Sequence, residues 1–282
     1  MSLNAFALII LAGLIHAGWN IAAKKAGGDA RFAFFTSTLM AVVWAPLWGA
    51  REWGIVVFSG VLHVLYYVIL LRGYRKADLT VVYPLARGTG PLLSSLVAVT
   101  LLGEQLSALG AVGIAGVVGG VFLIAGGPGL LRAAHDPQAR RRVRKGMLYG
   151  VLTGVFIASY TVVDGYAVKF MLLSPILVDY MGNFVRVAVL APVALRDRAE
   201  LARLWAVQWR FALLVAAVSP IAYVLVLYAM QEAPMAHVAP AREVSMLFAA
   251  LIGGHLLGEG DRAARIAGAL LIAAGVAALA LG

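Results

Sequence analysis

Long apolar runs separated by short polar gaps set the pattern of this chain. Runs long enough to cross ~30 Å of hydrocarbon, at roughly 20 residues each, fall at about 3–22, 32–50, 54–71, 79–102, 107–126, 147–168, 174–195, 211–230, 235–257 and 264–282. In lipid a helix satisfies all of its own backbone polar groups. The pattern therefore predicts an all-α integral membrane protein with ten transmembrane helices. The gap from Gly127 to Gly146, with His135-Asp136-Pro137 and the basic run Arg140 to Lys145, reads as a linker between halves at 1–126 and 147–282. A second polar gap, Arg196 to Arg210, carries Trp205 and Trp209, which suit interfacial anchors.

The halves repeat one another. An offset of 155 places Arg87 on Arg242, Gly103-Glu104 on Gly258-Glu259, Gly113 on Gly268 and Gly120 on Gly275. A one-residue shift aligns Pro84 with Pro240, Tyr67 with Tyr223 and Ala77 with Ala233. Near the start of each half, an offset of 141 sets Gly13 on Gly154 and Trp19 on Tyr160. Such self-similarity is read before any local motif.

Charge orients the spans. The connections after odd-numbered spans hold eighteen Lys and Arg, whereas the other connections and the termini hold two, Arg51 and Lys169. Positive connections stay cytoplasmic, so both termini are expected outside an inner, or plasma, membrane and the basic linker inside. With five spans per half, the second half then lies upside down on the first, giving two inverted five-helix repeats. In transporters built this way the substrate site lies near the midplane between repeats.

Composition narrows the class. The chain is 62% hydrophobic and 13% charged over 282 residues, with mean hydropathy +0.92, too apolar for a soluble globule. The first span lacks a small-residue cleavage site and reads as a helix that stays. Zero cysteines exclude disulfides and thiolate metal sites. A net charge of +10 is scattered through short connections and forms no nucleic-acid groove. No metal or cofactor is implied.

The repeated stretch resembles the EamA-type carriers of the drug/metabolite transporter superfamily. It does so through Pro84 and Pro240, the Gly103-Glu104 and Gly258-Glu259 turns, and the glycine-rich segments Gly113 to Gly120 and Gly268 to Gly275. The resemblance covers nearly the whole chain and is similar to the ten-span amino-acid exporters of the superfamily. It implies export of amino acids, drugs, sugars or other metabolites.

Charges inside predicted spans are costly and call for partners or function. Three arginines, Arg87, Arg186 and Arg242, face three acids, Asp164, Asp179 and Glu243. Arg87 and Arg242 suit either a carboxylate clamp or gate, or a structural pair bracing broken helices. Tyr83, Arg87, Gly90 and Ser94 share one face of the fourth span. Tyr149, Thr153, Phe156, Tyr160 and Asp164 share one face of the sixth; Tyr160 and Asp164 are the substrate candidates, while Tyr149 and Thr153 suit interhelical hydrogen bonds. His16, Trp19 and Asn20 cluster on the first span, and Tyr67 and Tyr223 are repeat-related.

His237 is a candidate proton carrier, although on a regular helix Arg242 and Glu243 point away from it. Asp179, Asn183 and Arg186 form a stripe suited to an intrahelical ion pair at a cavity mouth. Glu104 and Glu259 suit turn or gate roles, each carboxylate capping the following helix. The glycine segments favour packing of the fifth span on the tenth, with dimerisation as the other use.

These readings favour a transporter for a small-molecule substrate, with membrane lipid around it, working by alternating access. A channel would need a filter motif that is missing. An intramembrane enzyme would need a G-x-S-x-G or H-E-x-x-H context, also missing, so no catalytic residue is assigned.

Overall fold

The computed structural model describes residues 2–25, 30–43, 53–77, 79–124, 137–248 and 262–282. Its helices are α1 (Leu3–Lys25), α2 (Ala30–Val43), α3 (Trp53–Lys76), α4 (Leu79–Thr100), α5 (Ala108–Ile124), α6 (Pro137–Lys169), α7 (Pro175–Ala194), α8 (Arg198–Glu232), α9 (Met235–Ala241) and α10 (Arg262–Leu281). No strand occurs among the described residues. The expected end of the second span, linker residues 127–136, and the end of the ninth span with Gly258-Glu259 lie outside them.

The surface is inverted relative to a soluble protein. Phe58, Leu96, Val112 and Leu148 are each more than half exposed, whereas Asp164 and Glu243 are almost fully buried. An apolar outer face and a polar interior suit a bilayer. Five of the described stretches are long and apolar enough to cross it: Leu3–Asn20, Trp53–Lys76, Arg140–Lys169, Pro175–Ala194 and Arg198–Glu232. Ala108–Ile124 and Ile266–Leu281 are shorter apolar helices.

The polar gap expected at Arg196–Arg210 is helical instead. Asp197 caps α8 by accepting a hydrogen bond from the Glu200 backbone N–H at 3.0 Å, and Arg203 pairs with Glu200 at 2.7 Å. Asp-x-x-Glu is a helix-start signature whatever the hydropathy that follows, so α8 begins in polar sequence. It carries Trp205 against Phe35, with ring centres 5.1 Å apart. Likewise α6 starts at Pro137, a favoured first helical residue, and absorbs the basic run 140–145 that was expected in the linker.

Glycine decides how α5 meets α10. A Cβ on Gly113 would lie 2.8 Å from the Gly275 carbonyl oxygen, and one on Gly120 would lie 2.6 Å from that of Gly268. Only backbones without side chains approach this closely. As numbers rise along α5 they fall along α10, so the two helices run antiparallel. These are the glycines that the 155-residue offset exchanges: Gly113 with Gly268, Gly120 with Gly275.

The same exchange recurs where α1 and α6 meet their partners. Gly13 packs on Val244 and the Ser245 backbone, while Gly154 packs on Thr89 and the Gly90 backbone. The repeat offsets carry one set onto the other. At helix level, α1 packs on α8 as α3 packs on α6, and α2 packs on α8 as α3 packs on α7.

Candidate functional site

The site begins at a break in the chain. Pro240 has no N–H, so it leaves the Ala236 carbonyl without its helical donor. Ser95 of α4 supplies one, donating from Oγ at 2.9 Å. After Ala241 the chain makes a tight turn, with Glu243 N–H donating to the Pro240 carbonyl at 2.9 Å and Met246 N–H to that of Glu243 at 2.8 Å. Residues 244–248 are helical again. The break directs Arg242 and Glu243 into the interior.

There they meet α4. Arg87 Nε lies 2.8 Å from Glu243 Oε2, and Arg242 Nε lies 3.7 Å from Glu243 Oε1. Arg87 also donates from Nη2 to Ser245 Oγ at 2.8 Å, and its Nη1 is 3.4 Å from His16 Nε2. The Tyr83 ring centre is 5.9 Å from the guanidinium carbon, within cation–π range. Arg242 Nη2 donates to Thr161 Oγ1 at 3.2 Å. Two guanidiniums share one carboxylate, leaving a formal excess of one positive charge.

A cavity of about 50 Å³ opens beside this cluster, lined by His16, Arg87, Tyr160, Tyr223 and Arg242 together with Gly13 and small apolar residues. A water fills about 30 Å³ of liquid, and pockets for drug-sized ligands run to roughly 300–1,000 Å³. The cavity is therefore far smaller than a pocket that takes a drug-sized ligand.

One wall is aromatic. Tyr160 stacks on His63 with ring centres 4.0 Å apart, and Tyr66 and Tyr223 meet it edge-on at 5.6 and 6.2 Å. Behind that wall is Asp164. Its Oδ2 accepts the Tyr223 hydroxyl at 2.5 Å, its Oδ1 accepts the Ser59 hydroxyl, and His63 Nε2 lies 3.7 Å away.

The sequence profile of the EamA-like transporter family matches residues 3–126 and, a second time, residues 144–281. The chain belongs to the EamA-like transporter family. It is thus a multi-pass membrane protein of a family that moves small metabolites, and that family is one of transporters rather than enzymes. No curated protein matches the sequence. A crystal structure of a protein superposes with a TM-score of 0.73 over 98% of both chains at 15% identity, a likeness of fold alone.

In this EamA-like transporter the structure brings together His16, Tyr83, Arg87, Tyr160, Tyr223, Arg242 and Glu243 around the cavity, with Asp164 behind. Other candidates sit elsewhere. Asn20 donates to the His16 carbonyl of its own helix at 2.7 Å. Trp19 meets His16 edge-on at 4.8 Å and packs toward the Phe32 and Phe35 cluster; its indole N–H has no partner among the described residues. Tyr67 meets Tyr66 at 6.4 Å. His237 is drawn away to α10, where Nδ1 lies 3.1 Å from the Leu279 carbonyl oxygen. Asn183 stands between Asp179 and Arg186: it donates to Asp179 Oδ2 and accepts from Arg186 Nη1, both at 3.1 Å. The expected direct pair is therefore bridged by an amide.

Glu104 differs most from expectation. Gly103 takes φ +70°, and Glu104 N–H bonds back to the Ala98 carbonyl at 3.0 Å, a glycine-terminated helix end. The carboxylate then reaches across to the other matched stretch and caps α9, accepting the Met235 and Ala236 N–H groups at 2.9 and 2.8 Å. Lys169 pairs with it at 2.9 Å. The following helix, α5, is capped by Ser107 instead, 2.9 Å from the Gly110 nitrogen. Glu259 lies outside the described residues.

The sequence pattern assigns no site role to Ser59, His63, Thr161 or Lys169. Ser59 and His63 stand four residues apart on one face of an otherwise apolar helix, a polar stripe that points to a buried partner. A wider open space of about 450 Å³, lined by Arg72, Arg75, Lys76 and Tyr149, lies at the end of α3. Tyr149 is thereby placed apart from the cavity.

Proposed function

We propose that the chain exports small metabolites, amino acids first, by alternating access of two inverted five-helix halves, 1–126 and 147–282. The observation that carries this reading is the convergence of Arg87 from one matched stretch and Arg242 and Glu243 from the other on a small cavity walled by Tyr160 and Tyr223. The excess guanidinium complements a substrate carboxylate, which Arg holds with planar paired donors. The aromatic wall suits the side chain of an aromatic or other neutral amino acid, in the manner of the amino-acid exporter YddG. His16, Trp19, Asn20 and Tyr67 belong to the same substrate lining as it opens.

The exchanged glycine contacts and the antiparallel α5–α10 seam support the inverted repeat. That seam also occupies the glycines within one chain, which favours a monomer. Both termini are read as outside the membrane. The aromatic cluster equally favours a flat apolar compound, so a drug exporter of the same superfamily is the second reading.

Reconstitution tests the proposal. Proteoliposomes should move labelled amino acids faster than empty vesicles. No acceleration for any amino acid, with flux of cationic aromatic compounds instead, would favour the second reading.

A further inference from the structure

Among the described residues, Asp164, Asp179 and Glu243 lie inside the protein, and Asp164 alone has no arginine or lysine in direct contact or one side chain away. Glu243 faces Arg87 and Arg242, and Asp179 is linked through Asn183 to Arg186. Asp164 is fully buried, yet its nearest groups are the Ser59 and Tyr223 hydroxyls and the His63 imidazole.

The tautomer of His63 sharpens the problem. Its Nδ1 lies 3.0 Å from the Ser59 carbonyl oxygen, an acceptor that requires a proton on Nδ1. Nε2 then presents a lone pair toward Asp164 Oδ2 at 3.7 Å. Two acceptors face one another in a buried site, and one proton on either resolves the repulsion. The other charged and titratable groups around the pair are Tyr160 from α6, Asp179 and Arg186 from α7, Tyr223 from α8, and Arg242 after α9.

We infer that Asp164, His63, Ser59 and Tyr223 form a binding site for one exchangeable proton, reached from the central cavity through the Tyr223 hydroxyl. Tyr223 is at once a cavity wall and the hydroxyl on Asp164 Oδ2: when that hydroxyl turns from donor to acceptor, its oxygen takes the carboxyl proton and its own proton passes to cavity water. With the proton bound, the Asp164–His63 pair is neutral and the arginine cluster keeps its single excess positive charge. With the proton gone, the new negative charge offsets that excess. Proton binding and carboxylate binding therefore favour one another, and the linkage is reciprocal. This coupling rests on the amino-acid reading above; the proton site does not.

Infrared difference spectra of the full chain in lipid vesicles, between acid and alkaline pH, test the site without any substrate. The expected result is a protonated-carboxyl band that is absent in D164N and retained in E243Q and D179N. A D164N spectrum identical to the wild type overturns the inference. If D164N fails to fold, Y223F keeps the carboxyl but removes one donor; the band should shift, and an unshifted band overturns the site. The coupling is read from uptake of a labelled amino-acid mixture, expected to be several-fold faster at acid pH in the wild type and pH-independent in D164N. Uptake that ignores pH in the wild type overturns coupling. No uptake at any pH counts against the amino-acid reading alone, and the infrared result then decides the proton site.

Discussion

Arg87 on α4 and Glu243 in the break after α9 face one another at 2.8 Å, one from each stretch that matches the family profile. The contact ties the two stretches together at the cavity. It also leaves Arg242, 3.7 Å from the same carboxylate, as the less engaged cation. If the arginines divide the work, Arg87 is expected to brace the halves and Arg242 to meet the ligand, and the two roles are separable by substitution.

R87A should destabilise the protein, because Glu243 loses its 2.8 Å partner and keeps only Arg242 at 3.7 Å; with that cation still in place the loss should fall below the about 3–5 kcal/mol of a fully broken buried pair. E243A should cost more, since it strands both guanidiniums, and the double variant R87A/E243A should recover part of that larger loss in thermal melting. Flux of zwitterionic amino acids should fall in R242A while the fold survives. If R242A transports like the wild type and R87A melts like it, both roles are wrong.

The α5–α10 seam gives a prediction with an internal control. G113A and G120A each push a Cβ against a backbone carbonyl that a side-chain rotamer cannot relieve. Overpacking of this kind costs about 1–3 kcal/mol. Gly182 has nothing within 4 Å of an added Cβ, so G182A should melt at or above the wild-type temperature, since Ala favours helix by about 1 kcal/mol. Equal melting of all three variants would remove the seam as a packing constraint.

The seam was legible in sequence because glycines spaced along an apolar run have few other uses. The arginines and the proline break were legible for the same reason, since charge and Pro in an apolar span demand explanation. Glu104 was not, because a carboxylate beside a turn can cap either the next helix or one far along the chain, and spacing does not say which. The start of α8 was missed because hydropathy was the criterion and a polar helix has none. Ser59 and His63 were not legible as a site, because their partner, Asp164, is 105 residues from Ser59 and no local spacing announces it.

Glu104 yields a graded test. The carboxylate accepts two N–H groups and one ammonium. E104Q keeps an acceptor for one N–H group and loses the ion pair, whereas E104A leaves the first turn of α9 uncapped. Loss of a cap costs about 0.5–2 kcal/mol, with more from the stranded Lys169. Melting temperatures should order wild type, E104Q, E104A, and amide exchange at Met235 and Ala236 should quicken in the same order. Unchanged exchange in E104A would show that α9 does not depend on this cap.

Orientation can be read by chemistry because the native chain has zero cysteines and any introduced thiol is unique. The first turns of α6 hold Arg140, Arg141, Arg142, Arg144 and Lys145, the densest basic run in the chain. Translocating such a run is disfavoured, so it should face the cytoplasm. Leu3 is 82% exposed at the start of α1, and an odd number of crossings separates it from that run if each half has five. A membrane-impermeant maleimide added to intact cells should therefore label L3C at once and R142C only after permeabilisation. Labelling of both from outside would mean an even number of crossings between them and would sink the five-per-half topology. Labelling of R142C alone would keep the topology and reverse its orientation.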